Sequence, residues 1–308
     1  MEELTKGAGT RMHPVASENE FTSGLATSAA RKLLVTHNID PTGIDYLILC
    51  TQSPDYFLPT TACLVQAQIG MRTDVGAVDI TLSGPGFAYA LGLAKGLIES
   101  EQVRNVLVVT AETHSRFASS GSAELFGDGA AATLIVADAS HDGLNGVAFG
   151  AYSDVGPGTL VPSGGLRPGG IMSPEASVRT REIQPNGYDA DANRVELFEV
   201  EVEVEVEARL VSTCVNEVLS TSGLAMADVD LFVVQDASGR SIDRLSKEMS
   251  VPAEKFIVPF EGYGDVGSST IPIALADAVQ GARIKAGDRL ILVGVGADFT
   301  WGGALVTW

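Results

Sequence analysis

The stretch VDITLSGPGFAYALG, residues 78–92, decides the fold, because an apolar run of strand length passes through Ser-Gly-Pro-Gly into small and apolar residues that can open a helix. A strand that ends in a tight turn below a helix N-terminus is a common mount for a nucleophile, since backbone N–H groups there can stabilise an oxyanion. This turn contains no cysteine, and Ser83 is its one nucleophilic candidate. The stretch is therefore either an active site or a turn from which the nucleophile has been lost.

The surrounding chain alternates strand-like and helix-like segments. Apolar runs of strand length lie at 44–51, 104–111 and 132–137, and helical patterns lie between them at 59–70 and 86–100. This alternation predicts an α/β fold with mostly crossover connections. In the second half, VDLFVVQD at 229–236 resembles IDYLILCT at 44–51. The closing stretch DRLILVGVGADFTWGGALVTW likewise resembles RNVLVVTAE followed by GDGAAATLIVA in the first half. The repeated order indicates an internal duplication.

We predict an N-terminal half over residues 1–150 and a C-terminal half over 196–308, joined by an excursion at 151–195 that is rich in Gly, Pro, Ser and Asn. The segment ELFEVEVEVEVEARLVSTCVNEVL, 196–219, alternates Glu and Val as a strand would, but its flanks have helical spacing. Taken with the family resemblance described below, this spacing favours a helix. Its acidic run is interpreted as a solvated face.

Composition limits the function further. The chain has 39 acidic and 20 basic residues, a formal net charge of −19, so it should repel nucleic acid and anionic membranes. It has no apolar run of about 18 residues and its start lacks the apolar core of a signal peptide. Its 3 cysteines are far apart and odd in number, which excludes a disulfide framework and a zinc spacing. We expect a cytoplasmic protein.

Five motifs are spread along most of the chain: DYFLPTTACLVQAQIG, DITLSGPGFAYAL, FGDGAAATLI, YGDVGSSTIPIAL and GADFTWGGALVTW. Together, in this order, they resemble the class III β-ketoacyl-acyl carrier protein synthases of the thiolase superfamily. The resemblance implies a duplicated five-layer α-β-α-β-α fold, a dimer through the nucleophile-bearing half, and no cofactor or metal. It also implies acyl groups carried on coenzyme A or acyl carrier protein, in fatty-acid or polyketide metabolism.

The three catalytic positions that the resemblance assigns carry unsuitable residues. The family's nucleophilic Cys falls on Gly84, its His on Gln235 and its Asn on Asp265. Glycine has no side chain to acylate, and glutamine cannot act as a general acid or base. A carboxylate opposes a developing enolate instead of stabilising it. We therefore predict that the condensing reaction is absent.

Further residues are predicted to line the substrate pocket by the same resemblance: Leu58, Ser83, His114, Asp236, Ser238, Asp298 and Phe299. Leu58 matches the position that reaches across the family's dimer into the neighbouring tunnel. Ser83 lies one position before the nucleophile and no His falls at a matching motif to activate it. His114 is expected to be a surface or packing residue, with a place at the active-site mouth as the alternative. The Asp residues are interpreted as hydrogen-bonded and not as ligands of a cation.

Three hypotheses follow. The first is a silent subunit that forms a heterodimer with an active paralogue. A homodimer is the alternative assembly, and acyl carrier protein is a further candidate partner. The second is a repurposed acyltransferase that uses Asp265 or Asp236 as a base without a covalent step. The third is a protein that binds an acyl ligand without chemistry.

Overall fold

The computed structural model describes residues 13–116, 126–138, 140, 143–151, 159–160, 179–180, 200–235, 242–257, 262–296 and 300–308. The helices of this part are α1 (Thr22–Thr36), α2 (Thr61–Ile69), α3 (Gly86–Glu99), α4 (Val200–Ser222), α5 (Ile242–Met249) and α6 (Thr270–Gln280). The strands are β1 (Tyr46–Cys50), β2 (Gly76–Ile80), β3 (Asn105–Thr113), β4 (Asp128–Val136), β5 (Leu144–Ala151), β6 (Thr159–Leu160), β7 (Arg179–Thr180), β8 (Leu231–Val234), β9 (Phe256–Ile257), β10 (Arg289–Val295) and β11 (Thr300–Thr307).

Two mixed sheets repeat one topology. The first has the order β2-β1-β3-β4, with β1 parallel to β2 and β3, and β4 antiparallel to β3. The second has the order β9-β8-β10-β11-β5, in which β8, β9 and β10 are parallel and β11 is antiparallel to β10. The four strands β9-β8-β10-β11 thus reproduce the first sheet, which accounts for the internal repeat in the sequence.

The sheets and helices form five layers. Leu47 and Leu49 of β1 face an outer layer of α1 and α2, whereas Ile48 and Cys50 face the central layer of α3 and α6. This alternation follows from the two-residue period of a strand that is buried on both faces. The second sheet covers the other side of α3 and α6 and carries α4 and α5 outside. The predicted α-β-α-β-α fold is confirmed. None of the helices in the described ranges has the length and apolar character needed to cross a membrane.

The ambiguous acidic segment forms a helix. The helix α4 covers Val200–Ser222, and Val211, Cys214 and Val218 are buried against the second sheet. Their spacing of three and four residues places them on one helix face. One strand departs from the predicted division, since β5, which begins before residue 150, pairs with β11 in the second sheet. The predicted excursion at 151–195 lies mostly outside the described residues.

Candidate functional site

The turn formed by the opening stretch lies between β2, which ends at Ile80, and α3, which begins at Gly86. Asp79 holds this turn, since its carboxylate accepts the backbone N–H groups of Thr61 and Ala62, both at 2.7 Å. These N–H groups open α2, so a negative charge is favourable there. Asp79 therefore joins the end of β2 to the start of α2 and has a structural role.

Gly84, the position that the resemblance assigns to the nucleophile, is enclosed by its neighbours. A Cβ built at Gly84 would overlap the carbonyl oxygen of Val295 and Oε1 of Gln235, and would lie 2.7 Å from the carbonyl carbon of Val295. The approach is reciprocal, because a Cβ built at Gly294 would overlap the carbonyl oxygen of Gly84. Backbone atoms of a packed strand yield little. The end of β10 therefore occupies the space that a nucleophilic side chain would need.

Gln235 stands directly after β8, where its backbone N–H donates to the carbonyl of Val293 at 2.9 Å. The residue is only 4% exposed, and its side chain forms a hydrogen bond with Asp265. Within the described part of the chain, Gln235 Oε1 has no hydrogen-bond partner. The structure thus brings Gly84, Gln235 and Asp265 together, with a buried acceptor left unsatisfied between them.

Asp265 receives the backbone N–H of Gly267 on its Oδ1 at 2.8 Å. Burial raises the pKa of this carboxyl, and the nearby His114 and the Gly267 N–H oppose that rise only in part. In its charged form, Asp265 would repel the negative charge of an enolate.

His114 lies just after β3 and is 3% exposed, so it is a buried residue and not a surface one. Its Nε2 is 3.2 Å from Oε2 of Glu112, and its ring meets the ring of Phe126 edge-on, with 5.5 Å between the centroids. Burial acts to lower the pKa of His114, but the charges of Glu112, Asp265 and Asp128 outweigh burial and raise it.

The central acid of this site, Glu112, is fully buried in β3 and was not among the residues predicted from the sequence. Its carboxylate accepts hydrogen bonds at 2.8–3.3 Å from Ser268 Oγ, Ser53 Oγ, the Gln52 N–H and Thr51 Oγ1. The available signal was an acid within the apolar strand NVLVVTAET, because a carboxylate is buried only where partners surround it. Glu112 therefore ties β1, β3 and the turn before α6 to one point.

Ser83 is partly exposed and faces this polar cluster. A Cβ built at Gly267 would lie 2.7 Å from Ser83 Oγ and 2.7 Å from His114 Cε1. Both side chains therefore border the same small space. The expectation that Ser83 has no histidine to activate it stays a prediction, because the atom of His114 that borders this space is the ring carbon Cε1.

Leu58 lies apart from this cluster, on the loop between β1 and α2. It is 82% exposed and continues a run of exposed apolar side chains with Tyr56 and Phe57, which are 60% and 79% exposed. Three adjacent large apolar residues that are exposed on one loop make an unusual surface feature. We call Tyr56, Phe57 and Leu58 the apolar loop.

The remaining predicted pocket residues, Asp236, Ser238, Asp298 and Phe299, lie outside the described residues. Their predicted place along the substrate pocket therefore stays a prediction. Over the residues that the structure does describe, no group of three or more His, Cys, Asp or Glu side chains is arranged to hold a metal ion.

Comparisons with known proteins agree with the fold and the order of motifs. The family model for 3-oxoacyl-[acyl-carrier-protein (ACP)] synthase III matches residues 78–153, and the model for its C-terminal part matches 219–308. The β-ketoacyl-[acyl-carrier-protein] synthase III of Clostridium perfringens is 34% identical over 293 residues, 94% of this chain and 86% of the relative. The Coxiella burnetii protein of the same name is 31% identical over 299 residues, 96% and 86% of the two chains.

Solved structures show the same similarity. A crystal structure of a 3-oxoacyl-(acyl-carrier-protein) synthase III superposes with a TM-score of 0.87 at 32% identity, over 100% of this chain and 91% of the other. The 3-oxoacyl-[acyl-carrier-protein] synthase III of Aquifex aeolicus gives 0.84 at 27% identity with the same coverage. The similarity thus extends over both sheets and all the motifs.

Proposed function

Because the chain belongs to the 3-oxoacyl-[acyl-carrier-protein] synthase III family, we propose that it is a cytoplasmic subunit of fatty-acid or polyketide-type acyl metabolism that does not condense. It pairs with an active paralogue and completes the dimer interface and acyl tunnel of that partner. Its ligands are acyl groups carried on coenzyme A or acyl carrier protein. The homodimer is the competing assembly.

The observation that carries this proposal is the filled space at Gly84. A turn that had lost only its cysteine would leave a gap, whereas here the Val295 carbonyl and Gln235 Oε1 stand where a side chain would begin. Interiors are packed closely enough that even one added carbon is felt. Restoring the nucleophile alone therefore cannot restore a covalent intermediate.

The two partner positions support the same conclusion. Gln235 is engaged with Asp265, and Asp265 is in turn held by the Gly267 N–H. An enolate needs hydrogen-bond donors, and a buried carboxylate supplies none when it is ionised. On this proposal, Gln235 and ionised Asp265 cannot stabilise the enolate as the His and Asn that the family resemblance assigns to these positions would.

The apolar loop supports a subunit role. Tyr56, Phe57 and Leu58 expose most of their side chains in the single chain, so burying them against a partner would be favourable. Charge would not hold such a pair together, because the chain is strongly acidic. A partner of complementary apolar surface is what this loop requires.

The test of the silent site measures condensation of acetyl-CoA with malonyl-acyl carrier protein, with an active synthase of the family as the positive control. The wild-type chain and the triple variant Gly84→Cys/Gln235→His/Asp265→Asn should both form no condensed product, and the triple variant should show no acyl adduct at residue 84 by mass spectrometry. Product from the wild-type chain would overturn the proposal.

The test of the subunit role co-expresses the chain with a Cys-His-Asn paralogue and measures the mass of the purified species. We expect a one-to-one complex that Leu58→Glu weakens. The control is Val35→Glu, because Val35 is 81% exposed on α1, away from the apolar loop. A stable homodimer that ignores the paralogue would count against the pairing.

A further inference from the structure

The two sheets repeat one topology, but they differ at the outer edge of their antiparallel strand. In the second sheet, β5 covers this edge of β11 and pairs with it from Ala151 at one end to Leu144 at the other. The equivalent strand of the first sheet is β4, which pairs with β3 from Asp128 to Val136. No strand among the described residues pairs with the other edge of β4.

The ends of β4 and β11 fix the correspondence between the two strands. The Ala137 N–H, just after β4, donates to the carbonyl of the residue before β3 at 2.8 Å. The Trp308 N–H, just after β11, donates in the same way to the residue before β10 at 2.9 Å. Val136 and Thr307 are therefore equivalent. The Thr307 N–H donates outward to the Gly143 carbonyl at 2.9 Å, whereas no strand of the described ranges lies beside Val136 on that side.

The outer edge of β4 presents backbone groups along its length. The Asp128 N–H points away from β3 and donates to the Pro14 carbonyl at 2.8 Å. Because the bonding direction alternates along an antiparallel strand, the backbone groups of Ala130, Ala132 and Leu134 point to the same side. In the part of the chain that the structure describes, these groups meet no strand.

β4 also lacks the features that protect an exposed strand edge. Natural edges carry lysine, proline or a bulge, which prevent pairing with another chain. After Asp128, the strand contains Gly, Ala, Thr, Leu, Ile and Val alone, and its register with β3 has no bulge. Residues 129–135 are half-buried, whereas residues 301–305 of β11 are buried. An uncharged strand with an open edge is a template for a further strand.

We propose that the outer edge of β4 is a docking site for an extended segment of another polypeptide, which pairs antiparallel to β4 as a fifth strand. The internal repeat indicates the chemistry of that segment, because β5 shows what the equivalent position accepts. β5 reads LNGVAFGA, 8 residues without charge. The partner segment is accordingly about as long, uncharged and mostly apolar, and flanking basic residues favour its approach to a chain of net charge −19.

Two other occupants fit this edge less well. The first residues of the chain itself, MEELTKGAGTRM, include Glu, Lys and Gly, which are depleted in strands. A second copy offers its own β4, but the two copies carry a net charge of −19 each and repel one another. The site is also separate from the apolar loop between β1 and α2, so the inference goes beyond the proposed function.

The first experiment uses the full chain and a labelled synthetic peptide with the β5 sequence between two pairs of lysines, and measures binding by fluorescence anisotropy. We expect saturable binding. The control peptide has N-methyl groups on the residues equivalent to Gly146, Ala148 and Gly150, which lie opposite the outward-facing residues of β11. It keeps the charge and side chains but loses these donors, so it should bind at least about tenfold more weakly. Equal affinities would overturn the inference.

Hydrogen exchange measured by NMR locates the docked peptide. In the chain without peptide, the amides of Ala130, Ala132 and Leu134 should exchange fast, and the Thr307 amide should exchange slowly. Bound peptide should slow the three β4 amides at least about tenfold and leave Thr307 unchanged. Slow exchange without peptide would show that the chain itself covers the edge. Protection that grows with protein concentration would show that a second copy covers it, and either result overturns the inference.

Ala132→Pro tests the edge from the side of the protein. Proline is tolerated where a strand N–H faces away from the sheet, so this variant keeps the pairing of β4 with β3 and loses an outward donor. It should abolish saturable peptide binding. If it failed to fold, the N-methylated peptide and the exchange rates would still decide.

The matched control is Leu58→Glu on the apolar loop, which is 82% exposed in the wild-type chain. It should leave peptide binding unchanged while it weakens the pairing with a paralogue. Loss of peptide binding with intact pairing removes this inference alone. Absent pairing with intact peptide binding removes the subunit role alone.

Discussion

Ser83 and Gly84 are neighbours in one turn, yet they face opposite kinds of surroundings. Around Gly84, the backbone of β10 and the side chain of Gln235 fill the space up to the α-carbon. Around Ser83, the hydroxyl is partly exposed and borders His114 and Glu112. A shift of one residue along the chain thus separates a closed contact against backbone from a partly exposed side chain beside a polar cluster.

The difference teaches that a glycine at a turn need not leave an empty space beside it. Closure over Gly84 depends on close backbone packing, which no single substitution at that position can undo. The polar side depends instead on the buried acid Glu112 and its hydroxyl partners, which join the segments that carry them. The two sides can therefore be perturbed independently, which the following substitutions exploit.

The largest effect is expected on the polar side. Glu112→Ala leaves His114 and several buried hydroxyls without their acceptor, so we expect the free energy of unfolding to fall by about 3–5 kcal/mol. Glu99→Ala is the control, because Glu99 pairs with Lys95 on the exposed surface of α3, where such pairs contribute at most about 0.5 kcal/mol. Urea denaturation measures both. Equal losses for the two variants would show that Glu112 does not hold this side together.

A smaller effect is expected on the closed side. Gly84→Ala adds a Cβ against the Val295 carbonyl and should destabilise the fold by about 1–3 kcal/mol. Gly96→Ala is the matched substitution, since Gly96 lies in α3 with nothing within 4 Å of an added Cβ, and it should stabilise the helix by about 0.5–1 kcal/mol. Thermal unfolding measures the stability of both variants. A Gly84→Ala variant as stable as the wild type would contradict the close packing around Gly84.

The smallest effect concerns pH. Because the pKa of His114 is raised in the folded chain, its contribution to stability is present below about pH 6.5 and is lost as pH rises through the raised value. Asp265, whose pKa is also raised, acts in the same direction. The difference in unfolding free energy between wild type and His114→Gln should therefore shrink as pH rises. His37→Gln, at the exposed end of α1, is the control. A difference that grows with pH would contradict the charge arrangement around His114.

Much of the fold follows from local patterns. Apolar runs at 44–51 and 104–111 predicted β1 and β3, and the spacing of Leu210, Cys214 and Val218 supported the helix α4. These features depend on neighbours in the chain, so periodicity reports them. The place of β5 in the second sheet depends on pairing with β11, which lies far away in sequence and leaves no local trace.

The sequence by itself determined the fold class and the family, and its motifs led to the prediction that Gly84, Gln235 and Asp265 occupy the family's catalytic positions. Only the tertiary structure decided that the vacancy at Gly84 is filled and that His114 and Glu112 lie beside Ser83. The physical reason is that both facts arise from contacts between segments distant in the chain. Residue types state what each group can do, whereas packing decides which groups meet.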